Sequence, residues 1–144
     1  MTGTDLEKAY RMLQEQQLTC AFVLSDVVYI SKERGVKPLL DCYYAKKMPT
    51  GFSAADKVVG KAAAFMYVLL GVKELYVQVL SRPALEILQK YGIAVTYCEL
   101  VDAIKNRTGT GFCPMETAVL AIEEPAEALS AIEKTKITLQ KASV

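Results

Sequence analysis

The 144-residue sequence predicts an α/β fold, in which a mixed β-sheet carries helices packed against it. Two short apolar runs, 19–24 and 27–30, are separated by two turn-forming residues and predict an antiparallel hairpin. The strand–helix–strand pattern of residues 73–98 predicts a βαβ unit with parallel strands. Between these units, residues 62–70 are apolar on all sides, as expected for a helix between layers. Together, the hairpin and the βαβ unit predict a sheet with both antiparallel and parallel strand pairs.

The N-terminal part contributes two further helices. Apolar residues recur at helical spacing from Leu6 to Leu13, which predicts a helix over 5–16 with Thr4 as its N-cap. After the hairpin we expect a short helix over 36–45, because Pro38 suits its first turn.

The apolar segment predicts a longer helix over 53–70. Ser53 and Asp56 form a capping-box pattern at its start, and Gly71 stands where a C-cap glycine belongs. The remaining predicted elements are a strand over 73–80, a helix over 83–91, a strand over 93–98, a helix over 113–123 and a final amphipathic helix after Pro125.

Composition excludes several classes of function. The chain has no histidine, which rules out Ser-His-Asp triads, Cys-His dyads and His-ligated metal sites. Its net charge of +1 does not favour a nucleic-acid partner, and no apolar run is long enough to span a membrane. Four cysteines without a CxxC pair suggest free thiols in a reducing cytoplasm, with Cys20, Cys42 and Cys98 used for packing. We expect a single domain over 1–144.

Three charged residues cluster near the start of the predicted 53–70 helix. Asp56, Lys57 and Lys61 are its only charges, and helix N-termini favour anions. One interpretation is an anionic or polar ligand bound between the two lysines. The other is that Asp56 caps the helix while both lysines extend into solvent.

A second cluster surrounds Cys113. Pro114 favours the first helical position, which makes Cys113 the N-cap, and Glu116 would bond back to it. A thiolate at a helix N-terminus is stabilised by unpaired N–H groups, so Cys113 is a candidate nucleophile with Lys57 or Arg107 as its cationic partner. Alternatively, Cys113 is a small buried apolar residue.

Three blocks of the sequence resemble a known family. These are Ala55-Asp-Lys-Val-Val-Gly-Lys-Ala-Ala-Ala64, residues 81–93, and Asn106-Arg-x-Gly-Thr-Gly-x-Cys-Pro-Met-Glu116. Together they look like a prokaryotic domain-of-unknown-function family, DUF1893, which is assigned to the cytidine-deaminase-like fold. The resemblance covers roughly residues 6–128. It implies a three-layer sandwich of a mixed sheet with helices on both faces.

The resemblance also allows zinc chemistry to be tested. Zinc deaminases carry His/Cys-x-Glu and Pro-Cys-x-x-Cys motifs at two helix starts. The corresponding ligand positions hold Ala55, Ala84 and Ile87, and Lys57 replaces the glutamate. None of these side chains binds zinc, so we expect no metal and no cofactor.

These observations predict a zinc-free deaminase-fold protein that binds a small polar, anionic or nucleotide-like ligand. In a catalytic version, Cys113 attacks or transfers a group and Lys57 assists. Candidate ligand-binding residues are Asp56, Lys61, Asn106, Arg107 and Glu116. The alternatives are a non-catalytic sensor or scaffold and a homodimeric assembly module. Residues 32–61, with net charge +4, and 99–133, with net charge −5, would supply complementary faces for the dimer.

Overall fold

The computed structural model describes residues 4–105 and 113–142. Its elements are α1 (Asp5–Glu15), β1 (Cys20–Leu24), β2 (Val27–Ser31), α2 (Lys37–Ala45), β3 (Ser53–Val59), α3 (Lys61–Leu70), β4 (Glu74–Ser81), α4 (Arg82–Lys90), β5 (Ala94–Val101), α5 (Pro114–Val119) and α6 (Pro125–Ala142). Among the helices in these two ranges, none has the length and apolar character needed to cross a membrane.

The sheet has five strands in the order β2-β1-β3-β4-β5. Strand β1 is antiparallel to β2 and to β3, whereas β3, β4 and β5 run parallel. The predicted hairpin and the predicted parallel βαβ unit are therefore both confirmed. All three parallel strands end at the same edge of the sheet, which brings the residues that follow them together.

Two packed layers lie against this sheet. Helix α1 covers one face, where Ala21, Ala55 and Tyr76 join its buried residues. On the other face, α3 forms the centre of the main core and packs between α4, α6 and α2. Nearly every residue of α3 is buried, as its all-round apolar character predicts.

The predicted helix over 53–70 is wrong in its first half. Residues 53–59 form strand β3, and α3 begins only at Lys61. Ser53 does not cap a helix; its hydroxyl donates to the Glu74 carboxylate at 2.7 Å. The capping-box pattern is local, whereas the position of this segment between β1 and β4 is set by tertiary pairing, which overrides local propensity. The predicted C-cap is confirmed, since Gly71 has a φ of 78°.

The other boundaries differ little from the predictions. Thr4 caps α1 by accepting a hydrogen bond from the Glu7 N–H at 3.1 Å. Helix α5 begins at Pro114, as predicted, but ends at Val119. Strand β5 continues to Val101, three residues beyond the predicted end. Cys98 is exposed there and its sulfur lies 2.9 Å from the Tyr76 hydroxyl, so the predicted packing role of Cys98 is wrong.

Candidate functional site

Asp56 lies inside the protein, on β3 beneath α3. Its carboxylate accepts hydrogen bonds from the Tyr67 hydroxyl at 2.6 Å and from the Val58 N–H at 3.2 Å. Burial raises the pKa of Asp56 to about 7, although hydrogen bonds from Tyr67 and from the backbone favour the charged form. On β1, Cys20 pairs directly with Asp56. Burial, and secondly the charge of Asp56, raise the pKa of this thiol well above its usual value. These groups form a closed polar cluster in the core.

Glu116 reaches across to α3 instead of capping its own helix. Its two carboxylate oxygens accept hydrogen bonds from the N–H groups of Lys61, at 2.7 Å, and Ala62, at 2.9 Å. These are N–H groups of the first turn of α3, which would otherwise lack a partner. The predicted bond from Glu116 back to Cys113 is therefore wrong. The anion at the start of α3 is therefore a carboxylate that the chain itself supplies.

The residue before α3 makes this contact possible. A Cβ added to Gly60 would overlap the carboxylate of Glu116. The backbone of Gly60, with φ −99° and ψ −175°, is one that any residue adopts. The glycine thus leaves room for the carboxylate of Glu116 in this position, and its own conformation does not call for a glycine.

Lys61 makes a second contact between α3 and α5, in which its side chain reaches from α3 to the end of α5. Its side chain is 9% exposed, and its ammonium donates to the Leu120 carbonyl at 2.9 Å and lies 4.0 Å from the Glu123 carboxylate. Leu120 is the C-cap of α5, where helix carbonyls favour a cation. The carboxylate of Glu116 therefore contacts the start of α3, and the ammonium of Lys61 contacts the end of α5. We call these contacts of Gly60, Lys61, Glu116 and Leu120 the α3–α5 junction.

Lys57 and Cys113, the predicted catalytic pair, lie on separate elements. Lys57 is an exposed residue of β3, so its predicted position four residues before Lys61 on one helix face is wrong. Cys113 is the N-cap of α5 and is partly buried, and its side chain makes no capping hydrogen bond. The other two predicted ligand-binding residues, Asn106 and Arg107, lie outside the described residues.

The face presented by β3 changes near its end. Asp56 points toward α3, and simple alternation would bury Val58 as well, yet Val58 is 47% exposed and Val59 is buried. Strand β4 changes at the same level, since Leu80 is fully buried in the main core and its neighbour Val79 is not. The bond from the Val58 N–H to the Asp56 side chain accompanies this change. As a result, valines are presented at the strand ends on the face that carries α1.

A cleft of about 570 Å³ lies at these strand ends. One valine from each parallel strand, Val58, Val79 and Val101, forms its apolar wall, and residues 102–105 form the rest. Asp102 pairs with Arg82 at 2.9 Å on the surface, while Lys105 is exposed. The Cys113 N–H donates to the Ile104 carbonyl at 3.1 Å, which ties the start of α5 to this wall. We call this the strand-end cleft.

Sequence reasoning missed most of the strand-end cleft. A signal was present, because Val101-Asp102 follows a predicted strand and Lys105 precedes a glycine-rich stretch. In α/β folds, residues just beyond the carboxyl ends of parallel strands are the usual ligand contacts. The exposure of Val58 and Val79 had no local signal, because it depends on the change of face in β3 and β4.

The positions that correspond to zinc ligands do not fit a metal. Helix α3 begins at Lys61, with Gly60 as its N-cap, so Ala55 lies within β3 and not at a helix start. At α4, Ala84 and Ile87 are buried and apolar. Within residues 4–105 and 113–142, no group of three or more His, Cys, Asp or Glu side chains is arranged to hold a metal ion. The donor set required for zinc is missing at both helix starts.

The fold and the cleft define an α/β protein whose candidate site lies at the carboxyl ends of its parallel strands. The family model for the domain of unknown function DUF1893 matches residues 8–135, and the chain belongs to this family. A crystal structure of a DUF1893 family protein from Thermotoga maritima matches with a TM-score of 0.80 and 26% identity, covering 98% of this chain and 92% of that one. No curated protein matches the sequence.

Proposed function

We propose that this protein is a zinc-free member of the cytidine-deaminase-like fold that binds a small polar or anionic, nucleotide-like ligand in the strand-end cleft. The order of one antiparallel hairpin followed by three parallel strands supports this fold label. The observation that carries the function is the strand-end cleft itself. Its volume of about 570 Å³ lies within the range of about 300–1,000 Å³ typical of small-molecule sites.

The lining of the strand-end cleft favours a ligand with two unlike parts. The walls of Val58, Val79 and Val101 suit the flat face of a ring. Beyond that wall, Lys105 offers an ammonium group to an anionic or carbonyl oxygen, and Asp102 offers an acceptor to an amino or hydroxyl group. A nucleoside or nucleoside monophosphate combines these features.

This proposal reassigns three of the predicted ligand-binding residues. Asp56 has its hydrogen bonds satisfied by Tyr67 and Val58 in the core. Lys61 and Glu116 are engaged with each other's helices in the α3–α5 junction. Their role in this proposal is to hold the elements that border the strand-end cleft.

The proposal is tested by thermal shift and calorimetry with nucleosides and nucleoside 5′-monophosphates. At least one probe should raise the melting temperature, because ligands that bind only the folded state stabilise it. Lys105→Ala should then weaken binding of the charged probe by about tenfold, in keeping with about 1.5–3 kcal/mol for a charged hydrogen bond. Lys73→Ala, which changes an exposed lysine before β4, is the matched control. If no probe binds, or if Lys105→Ala binds as the wild type does, the proposal is wrong.

Cys113 decides whether binding is accompanied by chemistry. We propose that its thiol, at the start of α5 and tied to Ile104, reacts with iodoacetamide faster than an ordinary exposed thiol, and that a bound probe slows the reaction. Because Cys98 is exposed, the rate is measured by mass spectrometry in Cys98→Ser, with Cys98 of the wild type as the reference. Equal rates at Cys113 and Cys98, unaffected by the probe, would leave a binding protein without cysteine chemistry.

A further inference from the structure

Strand β2 forms one edge of the sheet and exposes apolar side chains there. In the order of the described strands it has β1 as its only neighbour. Val27, Val28 and Ile30 are 41%, 40% and 42% exposed. Natural edge strands are usually protected by charges, proline or a covering element, since an open edge invites pairing with another chain.

The backbone of β2 has groups directed away from β1. A two-residue turn joins β1 to β2, and Leu24 pairs with Val27 next to that turn. The closing pair of such a hairpin exchanges hydrogen bonds, and bonded and non-bonded pairs then alternate. Val28 and Ile30 therefore direct their N–H and C=O groups toward the open edge. These two residues are suited to pair with a further strand.

The side chains along this edge are complementary to a second copy of the same strand. Val28 and Ile30 lie on one face of β2, and the exposed Asp26 and Lys32 flank the strand, Asp26 in the turn before it and Lys32 directly after it. If two β2 strands pair antiparallel about Tyr29, the start of each strand lies beside the end of the other, which brings Asp26 of each copy near Lys32 of the other. Val28 then stands opposite Ile30 in both directions. Antiparallel pairing thus gives two pairs of opposite charge and two apolar pairs.

Neither charge forms an ion pair within the part of the chain that the structure describes. The ion pairs found among residues 4–105 and 113–142 involve Lys37, Lys61 and Arg82, and leave out Asp26 and Lys32. The opposite edge lacks this pattern. An antiparallel pairing of two β5 strands about their centre would set Glu99 opposite Thr96. Charge complementarity therefore favours β2 and a second copy of this chain.

We propose that the protein forms a two-fold symmetric dimer through antiparallel pairing of β2 with β2 of a second copy, which joins the two sheets into one. A two-fold interface is self-complementary by symmetry, and this edge meets that requirement. The pairing involves five residues of each strand, so the buried area lies at the small end of specific interfaces. The dimer is expected to dissociate in the micromolar range.

Charge reversal tests this proposal by sedimentation velocity across the micromolar range. Lys32→Asp places aspartates opposite each other twice, and Asp26→Lys does the same with lysines. Each single variant should raise the dimer dissociation constant by about tenfold, because two attractive cross-strand pairs become repulsive. The double variant Asp26→Lys/Lys32→Asp restores both pairs and should dimerise like the wild type.

Mixing supplies a second readout that does not depend on the wild type. The two single variants should associate with each other, because lysines of one then face aspartates of the other. Glu99→Lys, on the exposed part of β5, is the matched control and should dimerise normally. Circular dichroism verifies that each variant folds. A wild type that is monomeric throughout, or single variants that neither weaken the dimer nor pair on mixing, would overturn the proposal.

Discussion

The α3–α5 junction and the strand-end cleft lie next to each other but differ in whether their charged side chains are buried with partners or exposed to solvent. In the junction, the carboxylate of Glu116 and the ammonium of Lys61 each have partners within 2.9 Å. In the cleft, Lys105 is exposed and the side chain of Asp102 is 93% exposed, although it pairs with Arg82. Charged residues alone therefore do not identify a ligand site. What differs is whether the chain has already supplied the partner.

The comparison shows how the chain itself supplies an anion at the start of α3. A helix start attracts an anion whatever its source, because its N–H groups are unpaired. At α3 the carboxylate of Glu116 occupies these groups, and Gly60 leaves room for it. Substitutions in the junction should lower stability, whereas substitutions in the cleft should affect binding.

The largest effect is expected at the junction. Glu116→Ala should lower the free energy of unfolding by about 2–3 kcal/mol, because two backbone N–H groups lose a charged acceptor. Gly60→Ala should have a similar effect by displacing that carboxylate. Because both act through one contact, the double variant should be about as stable as Glu116→Ala alone. Urea denaturation measures all three.

Glu123→Ala is the control for the junction. Its carboxylate is 68% exposed and 4.0 Å from Lys61, so removing it should cost less than about 0.5 kcal/mol. If the double variant loses as much free energy of unfolding as Gly60→Ala and Glu116→Ala lose together, the glycine acts independently of the carboxylate.

Asp56 should give a pH-dependent effect on stability of about the size expected at the junction. Its pKa is about 7 in the folded protein and 3.8 in a model compound. The folded state therefore binds the extra proton between these values, and stability falls as pH rises through them. Between pH 5 and 8 the loss should be about 2–3 kcal/mol. Asp56→Asn should remove this loss, as measured by urea denaturation at both pH values.

Asp102→Asn serves as the reference for the pH experiment, because Asp102 is exposed. The stability of Asp102→Asn should fall between pH 5 and 8 as much as that of the wild type. If the stability of Asp56→Asn falls as much, another group is responsible and the buried polar cluster does not control the acid stability of the protein.

The smallest effect is expected in the strand-end cleft. Val58→Ser should change the free energy of unfolding by less than about 0.5 kcal/mol, because Val58 is half exposed and surface substitutions are usually tolerated. The neighbouring Val59→Ser should cost about 2–4 kcal/mol, because Val59 is fully buried. A large loss in Val58→Ser, seen by thermal denaturation, would mean that this valine belongs to the core and not to a binding surface.

Much of the fold could be predicted because its signals are local. The hairpin follows from two apolar runs around Ser25-Asp26, and the parallel unit follows from the strand–helix–strand order after Lys73. Thr4, Pro114 and Gly71 mark helix ends through short-range hydrogen bonds and backbone preferences. Such signals act over a few residues, so one sequence is enough to recognise them.

The sequence by itself determined the mixed α/β pattern, the buried character of α3, the absence of histidine and the apolar residues at positions 55, 84 and 87. Tertiary structure decided that 53–59 is a strand, that Glu116 caps a helix 55 residues away, and that Val58 faces a cleft. Each of these depends on which distant segments meet. Local periodicity carries no information on contacts between distant segments, because burial in a sheet and pairing across the fold are set only once the whole chain is packed.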